Sequence, residues 1–162
     1  SSEGLFLAIL YLTDIYYKVD LDRNLTSVNI YNKGKFTMAA GKYSFIIEQG
    51  ATTDFEILYK DSAGSPVDLS TYHARMQIRS DYGGTLIANL SSSLDADGTG
   101  LNLSGSAGTN PPTSGSIGIF ISAASSSNFT FEEAKYDLEL VQGTTVTRLL
   151  EGKVKLSKEV TV

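Results

Sequence analysis

From Tyr43 onward the chain alternates apolar and polar residues with a period of two, as expected where side chains point by turns to the two faces of a sheet. In residues 43–48 the apolar face is Tyr43, Phe45 and Ile47. In residues 54–60 it is Phe55, Ile57 and Tyr59. The short connection at 49–52 predicts a hairpin between these two runs. Residues 61–66 then read as a turn. Asp61 and Ser62 can bond the turning backbone, Gly64 supplies positive φ, and Pro66 resists ladder pairing. The clearest strand is 71–79. Tyr72, Ala74, Met76 and Ile78 form one face, and Thr71, His73, Arg75, Gln77 and Arg79 the other, as in a half-buried antiparallel strand.

Asp81-Tyr82-Gly83-Gly84 turns the chain toward a strand at 85–90. Residues 91–100 are polar, and Leu101 and Leu103 mark a short strand. A loop at 105–115 precedes a strand at 116–121 with its isoleucines on one face. There Gly118 makes room for a neighbouring side chain. Residues 123–134 are the helical candidate, capped by Ser125 or Ser126, although Phe129-Thr130-Phe131 favours strand. Residues 135–141 carry Tyr136, Leu138 and Leu140 on one face. Gly143-Thr144 turns into a final strand at 145–156 with Val146, Leu150, Val154 and Leu156 on one side. Arg148 and Leu149 break its alternation and predict a bulge.

About eight strands with such turn spacing predict a mainly β, antiparallel, immunoglobulin-like sandwich over residues 42–162. Residues 1–41 read as a strand-bearing N-terminal arm, with β-prone stretches at 11–21 and 27–31, a turn at 33–35 and a linker at 38–41. The arm pairs either with the sandwich or with another subunit. Its apolar run at 5–12 reads as a strand or short buried element. Only Glu3 is charged before it, unlike the basic start of a signal peptide, and Thr13-Asp14 ends it too early for a membrane span. The start Ser1-Ser2-Glu3-Gly4 without methionine marks a processed chain or an excerpt.

The 162 residues suffice for one domain with a buried core, or a smaller domain plus an arm. The net charge of −5, without any Lys or Arg run, argues against nucleic acid or an anionic membrane as a partner. With no cysteine, disulfides and thiolate metal sites are excluded. His73 is the only histidine and shares its strand face with Arg75 and Arg79, so it reads as a solvent-facing polar residue. Residues 95–100 faintly resemble a calcium loop but lack the later bidentate Glu, so they read as a polar turn. Glu132, Glu133, Asp137 and Glu139 offer carboxylate pairs, yet a short chain without Trp implies no sugar cleft. Gly98, Gly100 and Gly105 have the wrong spacing for a dinucleotide loop. The Asn-x-Ser/Thr triplets at Asn24, Asn89, Asn102 and Asn128 are expected by chance in so Ser- and Asn-rich a chain. No nucleophile–base set and no metal set can be assembled. The reading is therefore a non-enzyme without cofactors.

Tyrosine makes a good interface anchor, because it brings a large rigid area and one polar tip. Tyr16, Tyr17 and Tyr31 in the arm are the candidates for docking on a partner. Tyr82 and the 105–115 loop are the candidates for touching a glycan.

A resemblance runs through residues 43–64, 67–72 (Val67-Asp68-Leu69-Ser70-Thr71-Tyr72) and 74–79. It continues in Tyr136-Asp137-Leu138-Glu139-Leu140, residues 146–152 and Val160-Thr161. In this order they resemble a family of small virion structural proteins of tailed phages, including those of cyanobacteria. That family is similar to immunoglobulin-like sandwiches and to the N-terminal domain of baseplate upper proteins. The resemblance covers about residues 42–162. It implies a protein without catalytic residues that assembles with other virion structural proteins as a homo-oligomer within a symmetric particle. It implies localisation in the virion, assembled in the host cytoplasm, at the tail, baseplate, fibre connector or capsid surface. The competing expectation is a carbohydrate-binding or adhesin module at the host surface.

Overall fold

A computed structural model describes residues 40–162 throughout, and before them the backbone of three strands. Those three are β1 (Phe6–Ile9), β2 (Tyr17–Leu21) and β3 (Ser27–Asn32). They are followed by β4 (Gly41–Lys42), β5 (Phe45–Glu48), β6 (Thr53–Lys60), β7 (His73–Arg79), β8 (Leu86–Ser91) and β9 (Gly100–Asn102). A 3-10 turn at Pro112–Ser114 leads into β10 (Ser116–Ile121). Helix α1 (Ala123–Ser127), β11 (Glu133–Gln142) and β12 (Thr145–Ser157) complete the described elements. The expected turn at 33–35 lies outside the described residues, as does the 38–41 linker up to residue 39.

The chain is mainly β, in two sheets. One runs β1-β2-β3-β6-β10-β9, and the other β4-β12-β11-β7-β8, with β5 also on β12. Most pairings among the described strands are antiparallel, but three are parallel: β3 on β6, β4 on β12 and β5 on β12. Gly41 faces Leu150 and Phe45 faces Val154, the same offset, so β4 and β5 are one interrupted strand. β3 continues the first sheet by pairing Ser27–Tyr31 with Glu56–Lys60.

The two sheets share one core. The first contributes Phe55, Ile57, Leu101, Ile117, Ile119 and Ile121. The second contributes Phe45, Ile47, Met76, Ile78, Leu138, Leu150 and Val154. These are the positions that period-two alternation assigns to the inner face. Each fully buried aliphatic side chain contributes about 1.5–3 kcal/mol relative to exposure.

Four expectations need correction. First, β5 and β6 are not a hairpin: they lie in different sheets. Their apolar faces meet the same core from opposite sides, so the chain must cross between layers. Gly50, at φ +78, makes the turn. Gln49 and Ser126 fix it. Gln49 Nε2 donates to the Phe129 carbonyl at 2.7 Å, and Ser126 Oγ donates to the Ala51 carbonyl at 2.8 Å. Second, the helix is only five residues long. Its cap is Ser122, which accepts from the Ser125 amide, because Ser126 is buried in the crossing just described. Third, Val146 is 47% exposed near the start of β12, beyond the reach of the core. Fourth, Gly118 makes room for backbone rather than a side chain: a Cβ there would collide with residues 105–106.

The bulge in β12 is present. Leu138 faces Leu150 and Glu139 faces Arg148, which leaves Leu149 as the extra residue, fully buried beside Leu150.

Candidate interaction surface

If Ala74, Met76 and Ile78 point inward, their neighbours Arg75, Gln77 and Arg79 must point out. The same rule turns Lys135, Asp137 and Glu139 outward on β11, which pairs with β7. Arg75 faces Glu139, Gln77 faces Asp137, and Arg79 faces Lys135. On the other flank β12 places Arg148 opposite Glu139, Glu151 opposite Asp137 and Lys153 opposite Lys135. The outer face of this sheet is thus a ladder of charges.

Most of these charges are paired within the sheet. Arg75 Nε donates to Glu139 at 2.7 Å. Arg148 reaches both Asp137 and Glu151 at 3.4 Å. Lys42 pairs with Glu151 across the interrupted edge strand. Lys153 lies 3.4 Å from Glu133. Asp137 sits at the middle of the ladder, and partial burial among the strands pushes its carboxyl pKa up. Glu139 adds to the rise, and Arg148, Arg75 and Arg79 oppose it. Exposed pairs of this kind contribute roughly 0–1 kcal/mol each, so their consequence is charge pattern more than stability.

At the end of the ladder the β7–β8 turn lifts Tyr82 into solvent, 80% exposed. The turn is firmly built. Asp81 accepts from the Tyr82 amide at 2.8 Å, the Gly84 amide donates to the Asp81 carbonyl at 2.9 Å, and Arg79 Nη1 donates to the Gly84 carbonyl at 2.8 Å. Lys135 Nζ lies 4.1 Å from the centre of the Tyr82 ring and 3.1 Å from Asp81. A cation over an aromatic face adds about 0.5–1 kcal/mol at exposed sites and restrains the ring. Beside it is a depression of about 240 Å³ lined by Gln77, Arg79, Tyr82, Lys135, Asp137 and Glu151.

The other expected contact tyrosines are elsewhere. Tyr16 lies outside the described residues. Tyr17 pairs with Asn32 in β2–β3, and Tyr31 lies between Lys18 and Lys60. The strands of Tyr17 and Tyr31 thus belong to the first sheet, whereas the turn of Tyr82 belongs to the second.

His73 is exposed at the start of β7. The carboxylate pairs considered for glycoside chemistry are occupied: Asp137 and Glu139 by arginines, Glu132 and Glu133 by Lys158 and Lys153. Among the described residues no group of three or more His, Asp or Glu is placed to hold a metal ion, and no helix is long and apolar enough to cross a membrane. The segment resembling a calcium loop is a turn in which Asp97 is already engaged. It accepts from the Thr99 amide and from the hydroxyls of Ser122 (2.5 Å) and Ser125 (2.9 Å). These three donors, Ser122 first, hold its carboxyl well below the usual carboxylate range. Sequence reading missed this clamp between the 95–99 turn and α1. The available signals were a two-residue Asp-to-Thr spacing, which favours an Asx turn, and a serine one position before the helix.

A scan against family models finds no match for this chain, and a search of curated proteins finds none either.

Proposed function

We propose that this chain is a structural component of a bacteriophage particle that docks onto other virion proteins in the tail, baseplate or fibre-attachment region, in several copies. The observation that carries the docking part is the outer face of β7, β11 and β12. It holds an internally paired charge ladder beside a restrained, exposed tyrosine. Aromatic anchors bordered by a polar pattern are what protein interfaces use for area and for register. The phage setting is supported by the order of segments from Tyr43 to Thr161.

The fold we propose is an immunoglobulin-like sandwich. Support comes from connectivity. β4/β5, β12, β11, β7 and β8 lie in one sheet and β6, β10 and β9 in the other. Leaving aside β1–β3, which extend the second of these sheets, that division is the one expected of a Greek-key immunoglobulin domain whose leading strand has crossed to pair with its last. Such sandwiches host many functions, so the surface and not the fold carries the assignment.

The test is peptide mass spectrometry on gradient-purified particles of the source phage, with copy number taken against the major capsid protein. A stoichiometric, low copy number is expected for a tail or baseplate ring, and hundreds of copies would move the chain to the capsid surface. Absence from clean particles overturns the proposal. Tyr82→Ala should lower incorporation while lowering the melting temperature by no more than about 4 °C, the share of the lost Lys135 contact.

A further inference from the structure

The outer face of the first sheet carries a second site, remote from the charge ladder. On β10 the inward residues are Ile117, Ile119 and Ile121, so Gly118 and Phe120 point out. Two loops close over them. The 105–110 loop returns across Gly118, whose missing side chain lets the backbone of Gly105 and Ser106 lie directly on the strand. It is pinned there by the Ser106 amide donating to Glu56 at 3.2 Å, and by Asn110 Nδ2 donating to Ser116 Oγ at 3.4 Å. From the other side comes the 95–99 turn. Gly98, at φ +86, sits so close to the Phe120 ring that a Cβ would lie 3.4 Å from Cε1. Between the two walls is a groove of about 210 Å³ lined by Leu94, Asp97, Gly98, Asn102, Ser106, Gly118 and Phe120.

The groove's chemistry narrows its ligand. Among the described residues Asp97 is its only charged lining residue and no Lys or Arg lines it, so an anionic ligand is disfavoured. The Asp97 carboxylate is held in place by the Thr99 amide on Oδ1 and by the hydroxyls of Ser122 and Ser125 on Oδ2, and the Thr99 side chain adds to its hold. Asn102 Oδ1 accepts from the Ser104 amide at 2.9 Å. That bond fixes the amide plane and leaves Nδ2, which has no hydrogen-bond partner among the described residues, as an oriented donor. Ser106 Oγ is likewise uncommitted there. An aromatic ring, a fixed acceptor, a fixed amide donor and a hydroxyl in one narrow groove complement a neutral polyol with one apolar face. The groove is smaller than the roughly 300 Å³ at which drug-sized pockets begin, which limits the ligand to about one ring.

We infer that this groove binds a single uncharged sugar ring, with Phe120 under the ring's C–H face, Asn102 Nδ2 donating to a hydroxyl oxygen and Asp97 Oδ1 accepting from a neighbouring hydroxyl. The inference is independent of the docking face, and each can fail alone. The sequence pointed toward a glycan at Tyr82 and at the 105–115 loop. Here the loop contributes Ser106, while Tyr82 belongs to the other sheet.

The test is a titration of the 15N-labelled chain with the methyl glycosides of glucose, galactose, mannose and N-acetylglucosamine, followed by amide shifts. At least one sugar should shift Gly98, Ser106, Gly118 and the Asn102 side-chain amide, with a dissociation constant on the order of 1 mM for so few atoms. Asn102→Asp keeps the acceptor for Ser104 but removes the donor, and should weaken binding about tenfold. Phe120→Leu keeps the apolar volume and loses the ring face, and should do the same. Melting curves of both variants show whether the fold survives. No shift with any of the four sugars overturns the inference. Shifts confined to Tyr82 and Lys135 overturn it as well, as does binding of tetramethylammonium in place of every sugar.

Discussion

The interrupted edge strand offers the sharpest test of how the core is closed. Tyr136 on β11 faces Gly152 on β12, and beyond Gly152 lies Tyr43, at the break between β4 and β5. Because Gly152 has no side chain, the phenol passes over it, and Tyr136 donates to the Tyr43 carbonyl at 2.6 Å. Burial pushes the Tyr136 pKa well up, with a further contribution from Tyr43, so the hydroxyl stays protonated and keeps donating. At the same break the Tyr43 amide donates to the Glu151 carbonyl at 3.0 Å, and Ser44 Oγ accepts from the Lys153 amide at 3.2 Å. Tyr136→Phe removes one buried hydrogen bond while leaving the ring against Phe45, 5.0 Å between centroids. That should cost about 0.5–1.5 kcal/mol, or a fall in melting temperature of roughly 1–6 °C for a chain of this size. Gly152→Ala places a methyl against the Tyr43 carbonyl and 3.3 Å from Tyr136 Cε1. It should cost about 1–3 kcal/mol. The two effects share one contact, so the double variant should cost little more than Gly152→Ala alone. Differential scanning fluorimetry gives the cycle, and hydrogen exchange at the Tyr43 and Lys153 amides localises it. Full additivity, or a Tyr136→Phe variant with unchanged melting and unchanged exchange, would refute the account.

Two carboxylates should respond to pH with opposite signs. Asp97 has a depressed pKa in the folded state. The stability it confers is complete above the unfolded value near pH 4 and is lost as pH falls from there toward the folded value. Asp97→Asn should therefore flatten the melting-temperature profile below about pH 4, and a profile parallel to the parent's would count against the clamp. Asp137 has a raised pKa, caused first by burial. Between its unfolded and folded values the folded state holds the extra proton, so stability declines as pH rises through that window. Asp137→Asn should melt no lower than the parent at neutral pH, with any gain shrinking on acidification. A clear loss at pH 7 would mean that the Arg148 pair outweighs burial.

Much of the fold was legible because the inner face of a two-layer β protein is written as strict alternation. The strands expected at 54–60, 71–79, 116–121 and 135–141 lie within a residue or two of where the pattern puts them, whereas the run at 43–48 starts late, with Tyr43 at the break between β4 and β5. Even the bulge at Leu149 was visible as a break in the pattern. Pairing partners were not legible. The alternation at 45–47 and 55–57 is the same whether the two strands join one sheet or face each other across the core. What decides between them is the set of long-range bonds from Gln49 and Ser126, which no local pattern encodes. The helix was misread for a similar reason: Ser126 is consumed by the crossing loop, which leaves the cap to Ser122. Of the expected contact residues, Tyr82 stands exposed at the turn that its two glycines mark. The ladder beside it and the groove over Phe120 needed the register of β7, β11 and β12 and the course of the 105–110 loop.

Under the proposed docking role, the same register bears on what kind of partner the charge ladder would accept. Docking strips water from Arg75, Asp137, Glu139, Arg148 and Glu151 together. A buried charge left unmatched costs several kcal/mol, whereas a matched pair roughly breaks even. Because these groups, together with Lys42 on Glu151, already neutralise one another within the sheet, covering them with an uncharged surface strands none of them. The exceptions are Arg79 and Lys135, which face each other: Arg79 donates to Gln77 and to the Gly84 carbonyl, and Lys135, also facing Lys153, has its ion-pair partner in the exposed Asp81 at the turn. The end of the face nearest Tyr82 is therefore its most positive part. A partner that brings one carboxylate to Lys135 while packing against the free side of the Tyr82 ring gains area and charge matching at one point. A partner that presents a cation there loses both. Affinity would come from Tyr82 and orientation from the ladder, a division of labour suited to a subunit that must bind its neighbour in a single register.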